Sequence, residues 1–130
     1  MKADKIMIDD YLYNGHNMEI FQIKRITTKT AMNNDGGYLN LIDLKPIPFT
    51  TDIFSKLGFE IRENNTAVWK KLTEDGSDFE EFILIDLEIP SLCRVERNIK
   101  PKASFEGTIK YVHELQHAIK LVNVSLEIKL

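Results

Sequence analysis

His113-Glu114-Leu115-Gln116-His117 sets two imidazoles four residues apart with a carboxylate between them. On a helix this spacing stacks both rings on one face, one turn apart, where they can share a Zn²⁺. The intervening glutamate can then take a proton from a metal-bound water. In that reading the chain is a zinc-dependent hydrolase, with His113 and His117 as ligands and Glu114 as general base.

Three features of the sequence oppose it. Catalytic zinc needs a third protein ligand, yet no histidine follows His117, Lys120 stands where a glycine turn begins in the large families, and Glu127 is the one acid downstream. At about 100° per residue, Tyr111, Val112, Leu115, Ala118, Ile119 and Val122 share one side of the helix, which predicts that His113, Gln116 and His117 lie on the wet side. Lys110 and Lys120 flank the pair, and each ammonium ~6 Å from a dication costs on the order of 1–1.5 kcal/mol at water-like dielectric. The sequence therefore predicts no catalytic, cofactor or metal site, with the hydrolase as the alternative.

The remaining reactive groups have plainer roles. Cys93 lies between Leu92 and Arg94 in a predicted strand and reads as a small buried hydrophobe. It is the single cysteine, so no disulfide can form within the chain, which suits a reducing cytoplasm. His16 follows Asn14-Gly15 and is expected in an exposed loop. Asp75, Asp78, Glu80 and Glu81 cluster at a turn without the spacing of a calcium loop.

Length and composition bound what these residues can belong to. The chain has 130 residues, 43% hydrophobic and 28% charged, as expected of one ordinary globular domain spanning 1–130. A net charge of −3 provides no global field toward nucleic acid or an anionic membrane, and no run approaches the ~20 apolar residues of a membrane span. A sequence-specific nucleic-acid-binding module is a second alternative, since such binders need not be basic overall.

The elements follow from pattern. A hairpin is predicted from residues 6–13 and 19–26 across Asn14-Gly15, a loop at 33–37 and a strand at 38–45. Thr50 should cap a short helix at 51–57 that Gly58 ends. Strands at 59–63 and 66–71 should turn at Asn64-Asn65, placing Ile61 opposite Val68, and 79–89 should be the most apolar strand, ended by Pro90. Residues 91–97 read as an edge strand, 98–107 as a loop, and 109–122 as a helix capped by Thr108 and ended by Asn123. Val124, Leu126, Ile128 and Leu130 alternate with polar residues, which predicts a final half-buried strand.

Three stretches carry a resemblance: Ile8 to Asn14 (IDDYLYN) with Ile20 to Ile23, Pro46 to Glu60 (PIPFTTDIFSKLGFE) with Trp69 beyond it, and Ile109 to His117 running into the alternating end. Together they resemble a set of small uncharacterised proteins of phages, prophages and other mobile elements of gut bacteria, with an IGDYV-like start, a PIPLT-helix-GFE block and a YVHQLQN-like helix. The resemblance implies that glutamine stands often at the position of Glu114 and asparagine at that of His117, which a base and a ligand would not tolerate. The resulting expectation is an α+β fold: a mostly antiparallel twisted sheet, or small partly open barrel, of five to seven strands with one long C-terminal helix. The expected role is a non-enzymatic accessory or interaction protein of a mobile element. It would contact an unidentified protein partner or a second copy of itself, without a cofactor.

Overall fold

The computed structural model describes residues 1–88 and 91–130. It is α+β, with three open antiparallel sheets and two α-helices, and among the described residues no sheet closes into a barrel. The chain divides into two compact units, residues 1–48 with 111–113 and 130, and residues 49–110 with 114–129. No helix among the described residues is long and apolar enough to cross a membrane.

In the first unit β1 (Tyr11–Asn14) pairs with β2 (Ile20–Gln22) as the expected hairpin. The strand begins later than its apolar pattern because Asp10 is buried and its carboxylate accepts the Met7 N–H at 2.8 Å, closing a loop ahead of β1. A second sheet runs β3 (Arg25–Ile26), β4 (Thr30–Met32) and β5 (Tyr38–Asn40), with the predicted loop at 33–37 held by the Asn33 side chain, which accepts from the Asp35 and Gly37 N–H groups. The strand expected over 38–45 is broken by a 3-10 turn at Leu41–Asp43 before β6 (Leu44–Lys45) joins β1. Positions 41 and 44 would point to opposite faces of a continuous strand. The turn lets both leucines enter one core with Ile6, Leu12, Phe21, Ile23 and Ala31, and leaves Ile42 79% exposed.

The second unit opens with α1 (Thr51–Lys56). The Thr50 hydroxyl accepts the Ile53 N–H at 3.2 Å, and Gly58 takes the left-handed φ of 87° that follows the helix, as its sequence predicts. Phe54 anchors the helix between Phe49 and Phe59, and α1 lies against β7 (Glu60–Arg62), an edge of the five-stranded sheet. β8 (Thr66–Leu72), β9 (Phe79–Asp86), β10 (Leu92–Arg97) and β11 (Ala103–Thr108) complete that sheet in chain order. Ile89 and Pro90, read as the end of β9, lie outside the described residues.

Three expectations change here. The β7–β8 connection uses three residues, with Asn65 left-handed at φ 58°, so Ile61 faces Ala67 instead of Val68. Residues 92–97 are interior, because 103–108, read as loop, pair with them along their whole length. Gly107 is accommodated in that strand by the Phe105 ring, whose Cζ would lie 3.0 Å from a Cβ at this position. The segment after the last helix makes no ladder, although Val124 and Ile128 are buried in the predicted alternation.

Candidate functional site

The last helix, α2, spans Val112–Val122, three residues shorter at its start than its sequence suggests. Thr108 is still paired in β11, opposite Leu92, and the Ile109 N–H donates to Ser91 O at 3.1 Å, so the backbone is committed to sheet when the helix should begin. Tyr111 forms a single bridge with Pro48, and the Val112 N–H donates to Ile47 O at 2.9 Å. Val112, Leu115, Ala118, Ile119 and Val122 are buried as expected, and Asn123 is left-handed at φ 63°.

The expectation of a wet histidine face fails. His113 is only 4% exposed and Gln116 6%, while His117 is half-buried. The His113 ring lies parallel to that of Tyr111, with centroids 5.9 Å apart and planes 10° apart. Solvation therefore does not explain the polar side of this helix: burial requires each polar group to have a fixed place. Glu114 is committed to the backbone. Its Oε1 accepts the Lys110 N–H at 2.9 Å, placing the carboxylate in the first turn, where the helix dipole favours it. Among the described residues no three His, Cys, Asp or Glu side chains are grouped so as to hold a metal ion. The motif thus offers two imidazoles and a capping acid.

The other candidates separate. Cys93 is fully buried, opposite Ile85 and Gly107 in the sheet, and burial pushes its thiol from an ordinary 9.0 up to about 12. His16 is exposed, with Nε2 3.3 Å from Asp43 Oδ2. Asp75 organises the 73–78 turn: it accepts from the Thr73 hydroxyl at 2.6 Å and from the Ser77 hydroxyl and N–H at 2.7 and 3.0 Å. These bonds, that of Thr73 foremost, pull its carboxyl down to about 2.

Glu81, grouped by sequence with that turn, has a different role. It is 1% exposed, in phase with buried Ile83 and Ile85 on β9, and its two oxygens accept the Ser125 N–H and hydroxyl, both at 2.5 Å. Lys71 Nζ stands 3.9 Å from it. The period-two pattern Glu81, Ile83, Ile85 was the signal for this inward position. Close by in the same register row, Arg97 donates to three carbonyls, those of Lys100, Pro101 and Asn123. These two side chains fix the chain as it leaves α2.

A surface feature escaped the sequence reading. β1 runs antiparallel to both β2 and β6, so the end of β1 and the starts of β2 and β6 meet at one end of their sheet. The Gly15 N–H donates to Asp43 O at 2.7 Å and His16 reaches the same residue, drawing the 14–19 turn onto the 41–43 turn. Met18, Ile20 and Ile42, all exposed, are carried there. A groove of about 480 Å³ adjoins Ile42, lined also by Met1, Ala3 and Leu41 with Lys2 and Lys29.

The chain matches no protein-family model, and comparisons with curated proteins and with solved structures find no match.

Proposed function

We propose that this is a non-enzymatic accessory protein of a phage or mobile element that acts by binding a protein partner. The observation that carries the reading is that Met18, Ile20 and Ile42 are all exposed on the turns and strand start at one end of the β2-β1-β6 sheet, with Ile42 lining a groove that also bears Lys2 and Lys29. Single exposed apolar side chains are ordinary, but three of them carried by two turns tied to each other give a partner several anchor points at one end of a sheet. The two lysines favour a partner segment that combines an apolar anchor with an acidic neighbour. The mobile-element part rests on the resemblance of residues 8–23, 46–60 and 109–117.

A photo-crosslinking residue in place of Asn40, which lines the same groove, introduced in the native host, should capture one dominant protein. Met18→Lys with Ile42→Asp should abolish that capture without lowering the melting temperature, and Lys29→Glu should weaken it in a salt-dependent way. Capture unchanged by all three substitutions would refute the reading.

A further inference from the structure

We infer that residues 126–130 are an open strand edge that pairs antiparallel with the same segment of a second copy of this chain. This self-pairing uses other residues than the cluster around Ile42 and does not depend on it. Three observations lead to it. Leu126-Glu127-Ile128-Lys129-Leu130 alternates strictly, and its burial follows: Ile128 is buried, Leu126 and Leu130 are half-buried, Glu127 and Lys129 are exposed. The segment is thus already sided like a strand. Yet from Leu126 to Leu130 no backbone N–H or C=O is hydrogen-bonded among the described residues. In an extended segment the N–H and C=O of Glu127 and Lys129 share one edge; both residues are exposed, so that edge is open to another strand, as on the edge of a sheet. Immediately before Leu126, Ser125 is pinned through its N–H and hydroxyl by Glu81, which holds the segment in place for a partner strand.

The occupant follows from charge and register. With the two-fold axis at Ile128, Leu126 faces Leu130 of the second copy, Ile128 faces its equivalent, and Glu127 faces Lys129 of the second copy, twice by symmetry. All apolar side chains then share one face. The register centred on Glu127 sets two carboxylates against each other, and a shift by one residue turns the apolar row to solvent. Within one copy Glu127 and Lys129 already lie 3.7 Å apart on the exposed side. A five-residue strand pair is small beside a standard interface, so the dimer is weak and concentration-dependent.

Sedimentation equilibrium of the full chain at low salt, from about 10 μM to about 1 mM, tests this. The wild type should shift from monomer to dimer. Glu127→Lys and Lys129→Glu place like charges opposite each other, and each should stay monomeric over the range. An equimolar mixture of the two variants should dimerise again. One variant then carries lysine at both positions and the other glutamate at both, so every cross-strand pair unites opposite charges. The double exchange in one chain should dimerise like wild type. Both side chains are exposed, so circular dichroism melts should be unchanged. A wild type monomeric throughout, single variants that dimerise normally, or a mixture that stays monomeric would each overturn the proposal.

Discussion

β8 to β11 of the second unit run six to eight residues each and pair in near-continuous register, while the strands of residues 1–48 are two to four residues long and fall in two separate sheets. The long ladder closes its own hydrogen bonds and buries a row of Ile83, Ile85, Cys93 and Val95. The short strands rely on side chains to complete them: Asp10 on Met7, Asn14 on His16, Asn33 on Asp35 and Gly37. A ladder stabilises itself cooperatively, whereas loop-bonded strands open locally at lower cost. The exposed Met18, Ile20 and Ile42 lie in the second kind of structure, where binding surfaces are commonly found.

The contrast can be broken by experiment. Ile85→Ala removes a fully buried side chain from the ladder and should cost about 2–5 kcal/mol, read by denaturant titration. Native-state amide exchange should then show β8, β9 and β10 losing protection together, since they open as one unit; patchy loss would mean that the ladder is no more cooperative than the short sheets. Glu81→Ala leaves the Ser125 donors without their acceptor and should cost about 1–3 kcal/mol, with Glu81→Gln recovering part of it. Thr50→Ala removes the cap of α1 and should cost about 1 kcal/mol.

Smaller effects concern titration and metal. Cys93 stays protonated in the fold until about pH 12, against an ordinary 9.0. Stability from the buried thiol is therefore complete below pH 9 and erodes as pH rises toward 12. A thiol reagent at about pH 8 should modify Cys93 only in denaturant. Asp75, held at about 2 against 3.8, supports its turn above pH 3.8 and releases it as pH falls through 2, a change visible in the Thr73 and Ser77 amide resonances. Added zinc should leave the melting temperature unchanged, because His113 and His117 lack a third donor among the described residues; a stoichiometric rise would restore the hydrolase reading.

What the sequence made legible was local chemistry that acts on its own backbone. Thr50 capping α1, Gly58 ending it and Asn123 ending α2 each follow from one residue's conformational preference. Where a neighbour decided the outcome, the pattern misled. Residues 103–108 carry a glycine and few β-formers, and become a strand because β10 offers a free edge and Phe105 covers Gly107. Asn65, adopting positive φ, lengthened a turn by one residue and moved Ile61 from Val68 to Ala67. His113 and Gln116 sit at helical positions that amphipathic periodicity assigns to water, yet both are buried, because periodicity reports the spacing of apolar side chains and not what covers a polar one. Glu81 was hidden by its acidic neighbours, although its phase with Ile83 and Ile85 pointed inward.

The clasp between Glu81 and Ser125 has a consequence for the timing of synthesis. Its partners are 44 residues apart, so at about 5–20 residues per second Glu81 precedes Ser125 from the ribosome by roughly 2–9 s. During that interval β9 can find β8, but its inward carboxylate has only water and Lys71 to satisfy it. The nascent sheet thus stays hydrated at that spot until α2 and the residue that closes the acid have emerged, so burial of Glu81 is a late step in forming the second unit.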